Sequence, residues 1–314
     1  MPPLHLTTVT SESLPGDADE FDLLICACGY ESRATNAARL MLSKFKAKLA
    51  VGFQDRRALN YDANKRWFAE NEFNIIEPDD NSFRTAFSAV VAEAFSDRLH
   101  LRVVVDISCF NRFRLAQLVD HFRSLGNQSV SIHFVYSLAQ YSTPAESIAP
   151  TTIVEPVSPE FAGWRSSPDK PPAAVIGLGY EANRAIGIVD YLEIDNAVWL
   201  FSPVSPIHEY AASVDMANES LFESIAPEGR RQYYDVLDPA SLFRELNTLV
   251  VLLKNKFNPI LVPFGPKIYA LAVLLVACEQ EEVGVWRVSA GVREAASERL
   301  ASRHVTTLHV TFTR

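Results

Sequence analysis

Four turns in this 314-residue chain gather the residue types that handle anions and protons. The first is Gly29-Tyr30-Glu31-Ser32-Arg33, and its echo is Gly177-Leu178-Gly179-Tyr180-Glu181, followed by Asn183 and Arg184. Glycine lets the backbone pass close to a ligand, and the N–H groups that open the following helix favour an anion. Arg33 and Arg184 would then meet phosphate, while Glu31 and Glu181 would read a ribose hydroxyl or a base. Each glutamate could equally satisfy its own helix start, with the nearby arginine as ion-pair partner. The second turn, GLGYEA, has two glycines of a dinucleotide fingerprint and lacks the third. Asp106-Ile107-Ser108-Cys109-Phe110-Asn111-Arg112 closes a run of valines with a carboxylate that needs partners if buried. There Asp106 would orient a ligand or act as a base, or simply tie down the turn; Ser108 would donate to phosphate and Arg112 carry the charge. Pro263-Phe264-Gly265-Pro266-Lys267 offers a glycine for close approach, a proline suited to a first helical position, and a cation. A lysine there opposes the helix dipole unless an anion sits opposite. The turn lacks the form of a P-loop, so ATP hydrolysis is not expected. A fourth loop, Ser202-Pro203-Val204-Ser205-Pro206 with His208-Glu209-Tyr210, could close over a ligand; its counterpart is Gln54-Asp55-Arg56-Arg57.

These turns need strands before them and helices after them, and the hydrophobic pattern supplies both. The apolar run at 21–28 reads as a strand covered on both faces, and 48–53, 73–76, 101–107 and 130–136 read as further strands. Helical periodicity at 32–46, 61–71, 82–95 and 112–125 alternates with them. The same order follows with strands at 173–178, 197–201, 233–237, 259–262 and 283–289, and helices at 181–191, 210–225, 240–254 and 267–278. A last alternating stretch, 304–312, reads as an edge strand of that second set. Alternation of this kind implies parallel sheets with crossover helices. The expected fold is α/β: two tandem Rossmann-like units related by internal duplication, a pseudo-dimer in one chain. Residues 1–140 form the first unit, 141–172 a proline-rich linker with one strand near 151–157, and 173–314 the second.

Composition bounds the rest. A formal net charge of −9 repels polyanions, so the chain is not expected to bind extended nucleic acid. Four cysteines lie in apolar surroundings, in keeping with free thiols in a reducing cytoplasm. The seven histidines are scattered and none forms an H-x-x-x-H pair, so no metal is expected, and no G-x-S-x-G elbow is present. The N-terminus has neither the basic start nor the apolar core of a signal peptide, and the most apolar helix is too short to span a membrane. No cofactor can be named.

Val262–Lys267, VPFGPK, resembles a turn found in CRISPR-associated Rossmann-fold sensor (CARF) domains, where a Gly-Gly-Thr-Lys-like sequence lies between the fourth strand and helix. Here Phe-Gly-Pro stands in place of Gly-Gly-Thr. Asp106–Arg112 is similar in placement in the first half. CARF domains bind cyclic oligoadenylates across a two-fold dimer, and the related SAVED domains fuse two units in one chain. The resemblance implies a nucleotide-binding regulatory protein of prokaryotic antiviral defence. Its ligand would be a nucleotide or other phosphate-containing small molecule, and a separate partner chain would supply the effector output. Gly29, Tyr30, Glu31, Arg33, Asp106, Ser108, Arg112, Gly179, Tyr180, Glu181, Arg184, Gly265 and Lys267 would line the pocket. Two rival readings stand beside it. One is an enzyme on a nucleotide or sugar phosphate, with Asp106 or Glu181 as acid or base and Lys267 as phosphate clamp. The other is a non-catalytic scaffold subunit.

Overall fold

The computed structural model describes residues 2–95, 98–144, 150–163, 167–194, 196–224, 229–291 and 296–314. The chain forms two compact units, Met1–Gln140 with Ala296–Arg314, and Tyr141–Ala295.

The first unit opens with strand β1 (His5–Glu12), then β2 (Glu20–Ala27), whose residues after Glu20 are all buried. A short 3-10 turn (Ser32–Thr35) leads into α1 (Asn36–Leu40), followed by β3 (Lys44–Val51), α2 (Tyr61–Glu70), β4 (Asn74–Ile76) and α3 (Phe83–Phe95). Then come β5 (His100–Asp106), α4 (Arg112–Arg123) and β6 (Ser129–Ala139). The second unit contains β7 (Ile153–Pro156), β8 (Pro172–Gly177), α5 (Arg184–Tyr191), β9 (Val198–Val204), α6 (Glu209–Ala217) and α7 (Glu219–Ser224). It continues with β10 (Arg231–Asp235), α8 (Pro239–Leu253), β11 (Asn258–Pro263), α9 (Lys267–Glu279) and β12 (Gly284–Ser289). Finally β13 (Ala301–Thr313) returns to the first unit.

The first sheet has the order β1-β13-β6-β5-β2-β3-β4, the second β10-β9-β8-β11-β12-β7. In each, five strands are parallel and the chain order reverses beside the central strand, between β2 and β5 and between β8 and β11. The α/β class with two mainly parallel sheets is thus as read from the pattern.

Three expectations are corrected. The stretch expected as an edge strand of the second unit is β13, and it pairs antiparallel with β6 over residues 301–313 in the first. Its alternate residues Leu308, Val310 and Phe312 are fully buried there, so the first unit's core claims this strand. The proline-rich stretch does not behave throughout as a linker: β7 pairs antiparallel with β12 and extends the second sheet, while 145–149 and 164–166 lie outside the described residues. The helix expected over 32–46 stops at Leu40, because Lys44-Phe45-Lys46-Ala47 alternates in exposure as an edge-side strand does and pairs with β2.

Cores follow from composition. In α9 every residue from Ile268 to Cys278 is buried, as expected of a helix apolar all round. No helix among the described residues is long and apolar enough to cross a membrane.

Candidate functional site

In open parallel sheets, ligands collect outside the carboxyl ends of the strands where strand order reverses. In this chain those places are the β2/β5 mouth of the first unit and the β8/β11 mouth of the second. Four of the stretches singled out above fall in pairs on these two mouths: 29–33 with 106–112, and 177–184 with 263–267.

In the first unit the mouth is closed by its own side chains. Asp106, at the end of β5, is buried and accepts from Ser108 N at 2.9 Å and Ser108 Oγ at 2.5 Å. Ser108 Oγ in turn accepts from Ser137 N at 2.8 Å, so the hydroxyl is held on both sides. Burial pushes the Asp106 carboxyl up to about 6, against the pull of the Ser108 hydrogen bonds and the Arg33 charge. Arg33 is buried as well. Its Nε meets Glu31 Oε2 at 2.5 Å, and its two terminal nitrogens donate to Ser137 O (2.9 Å) and Ser108 O (3.2 Å). Burial disfavours its charge, but Glu31, Tyr136 and Cys109 together outweigh that and hold the guanidinium above its ordinary value. Buried Asn64 donates to the carbonyls of Gly29 (2.9 Å) and Glu31 (2.8 Å), while Tyr30 O accepts from Asn60 N. Gly29 lies against Cys109: a methyl added there would sit 3.0 Å from Cys109 Cβ.

The helix start that was expected to receive a ligand anion receives Glu298 instead. Its carboxylate accepts from Ser32 N (2.8 Å), Ser32 Oγ (2.9 Å) and Asn60 Nδ2. Burial alone would raise this group, but these bonds and that from Arg299 N hold it below the usual carboxylate range. Arg33, expected to meet phosphate, and Asp106, expected to orient a ligand, act as a base or tie down the turn, thus both have partners inside the fold. Arg112 begins α4 and is half-buried. Its neighbour Arg114 is fully buried, donating to Asp80 Oδ1 (2.6 Å), Gly52 O (2.7 Å) and Pro78 O (2.9 Å), so it staples the loops after β3 and β4 to α4. Of the charged loop 54–57, Arg57 pairs with Glu77 at 3.1 Å.

The second unit differs. Its two turns press together at Gly179 and Gly265. A methyl on Gly265, where φ is +67°, would collide with Leu178 O; one on Gly179 would meet Gly265 N and the Glu181 carboxylate. Glu181 therefore folds back over Gly179, and Lys267 opens α9 two residues beyond Gly265. Asn218 Nδ2 donates to Gly179 O at 2.9 Å and fixes the turn. Rings of Tyr180 and Tyr210 lie 5.6 Å apart, and Tyr141 stands edge-on to Tyr210 at 5.4 Å, with its hydroxyl 2.8 Å from Ser213 Oγ. Asn183 takes a left-handed φ of 62° ahead of Arg184, which is half-buried at the start of α5. The fourth loop is shorter than expected, because Ser202 and Pro203 belong to β9 and Ser202 Oγ accepts from Arg231 Nε at 3.0 Å.

Glu298, Asn64, Asn218 and the Tyr141–Tyr210 pair were not found by sequence reasoning. Each reaches its partner across 33 or more residues, and none carries a local pattern.

No family model and no curated protein matches the chain. A solved structure similar to it is phosphoethanolamine N-methyltransferase 1 of Haemonchus contortus, in complex with phosphoethanolamine and S-adenosylhomocysteine. The two are 8% identical with a TM-score of 0.24, over 100% of this chain and 89% of that one. The likeness is too loose to assign a reaction. The defence-sensor reading is nonetheless withdrawn. The first unit's share of the expected ligand pocket is filled by Glu31, Arg33, Asp106 and Glu298.

Proposed function

We propose that the protein is an enzyme acting on a phosphate-bearing small molecule, a nucleotide or a sugar phosphate, with its active centre at the β8/β11 mouth of the second unit. The observation that carries this is the Gly179–Gly265 contact, flanked by the Glu181 carboxylate on one turn and Lys267 at the start of α9 on the other. A backbone bare of side chains, a cation at a helix start and a carboxylate within the same small region are the parts needed to seat a phosphate and move a proton. In this reading Lys267 and Arg184 neutralise phosphate, Glu181 is the acid or base, and Tyr180 and Tyr210 offer a ring face to a base or sugar. Substrate class follows from these groups alone.

The finer reading of the fold belongs here too. We infer that the units arose by duplication, supported by a shared order, third-second-first-fourth-fifth, with an antiparallel strand beside the fifth in each sheet. On this view the first unit is the copy that has exchanged its ligand for internal partners.

The test is a turnover screen of nucleotides and sugar phosphates with the full chain, products followed by mass spectrometry. Glu181→Gln should lower kcat by about 100-fold or more, as removal of an acid–base group does, and Lys267→Ala should act mainly on kcat/KM. If the folded protein converts none of these compounds, or converts them equally well in both variants, the enzyme reading falls and a scaffold role takes its place.

A further inference from the structure

Away from both strand mouths, the antiparallel edge of the first unit gathers two histidines and a carboxylate. His133 on β6 and His309 on β13 are directly opposed across the ladder, and Thr10 on β1 is opposed to His309. Side chains two residues apart share a sheet face, so Glu12 lies diagonal to His309 on this face, within reach of both imidazoles. Its Oε2 is 3.1 Å from His133 Nε2 and its Oε1 is 3.0 Å from His309 Nδ1. The two rings stack with centroids 4.5 Å apart and planes 23° from parallel. One donor atom from each of the three residues lies within 4.8 Å of the others.

We propose that Glu12, His133 and His309 form a binding site for a divalent transition-metal ion of the zinc type. Two imidazoles and one carboxylate are a ligand set that zinc accepts, with a further position left for water. With metal–ligand bonds of about 2.0–2.2 Å, neighbouring donors in a tetrahedron stand about 3.3 Å apart, and the nitrogen–oxygen separations of 3.0 and 3.1 Å are close to that.

The surroundings fit the ligand chemistry. His309 Nε2 lies 2.9 Å from Ser131 Oγ, an outer partner able to accept a proton held on Nε2, the tautomer that leaves the Nδ1 lone pair for a metal. His133 Nδ1 is buried and has no hydrogen-bond partner among the described residues, so its proton can sit there and free Nε2. The ligands come from positions 12, 133 and 309, and no spacing rule applied to the sequence could have joined them.

The experiment is a titration of the chelator-treated, desalted full chain with Co2+, read by visible ligand-field absorption, with Zn2+ as competitor. Wild type should show one saturable site per chain, displaced by Zn2+. His309→Ala should weaken binding by at least about 100-fold, beyond the range typical of outer-partner changes, and Ser131→Ala by about 10-fold. His208→Ala, on an exposed residue of the second unit, should change nothing. Glu12→Gln removes the carboxylate at an exposed position with almost no change of shape, so it decides the matter even if a histidine variant fails to fold. Absence of saturable Co2+ binding in wild type, or undiminished binding in Glu12→Gln, would overturn the site and leave a hydrogen-bonded cluster only.

Discussion

Arg33 holds its guanidinium between Glu31 and the carbonyls of Ser108 and Ser137, all of them within the first unit. Removing one partner of a buried ion pair strands the other. Arg33→Ala should therefore destabilise the first unit by about 3–5 kcal/mol, measured by denaturant unfolding, while turnover by the second unit persists below the transition. Asp106 makes a pH-dependent contribution whose sign follows from its raised value. The folded carboxyl titrates near 6 and an unfolded aspartate near 3.8, so between those values the folded state holds the proton and the unfolded state does not. Stability from this group is present below the unfolded value and is lost as pH rises through 6, a fall of roughly 3 kcal/mol at 1.36 kcal/mol per pH unit. Chemical denaturation at pH 4 and pH 7 should show that slope in wild type and a flatter one in Asp106→Asn.

At the scale of elements, the two turns of the second unit depend on Gly265. Alanine there meets both a left-handed φ of 67° and the Leu178 carbonyl, and residues forced into such backbone cost about 1–3 kcal/mol. Gly265→Ala should lower the melting temperature of the second unit and, by parting the turns, its activity more than its stability. The same elements show what the sequence could convey. Strands such as 101–107 and helices such as 267–278 were legible because burial on both faces demands unbroken apolar runs, and these match β5 and α9 closely. Locations of the two mouths were legible for the same reason, since a strand end followed by glycine and a helix start is a local pattern. The fate of each turn was not. Arg33 reads identically whether it meets phosphate or Glu31, and the carboxylate that fills its helix start comes from Glu298, 266 positions away. The helix over 32–46 failed because its lysines alternate with apolar residues, a period-two signal hidden in a stretch with enough alanine and leucine to suggest a helix.

For the whole molecule, the decisive feature is that the first unit is built from both ends of the chain. β13 lies between β1 and β6, with His5 opposite Thr313 and Thr313 opposite Ser129. Deleting residues 301–314 removes a central strand of that edge and leaves β6 with an open ladder. Limited proteolysis of such a truncation should degrade the first unit while a fragment containing β8 to β12 survives; survival of both units would mean that the edge contributes little.

The same closure sets a timetable for folding on the ribosome. Some 160 residues separate the end of β6 from the start of β13, which at translation rates of about 5–20 residues per second is roughly 10–30 seconds of synthesis. Throughout that interval the first-made unit waits with an unpaired strand, while the second, drawn from one continuous stretch, has all it needs. The part of the protein synthesised second is thus expected to be finished first, and nascent chains stalled near residue 295 should already protect β8 to β12 from protease while β6 remains open to cleavage.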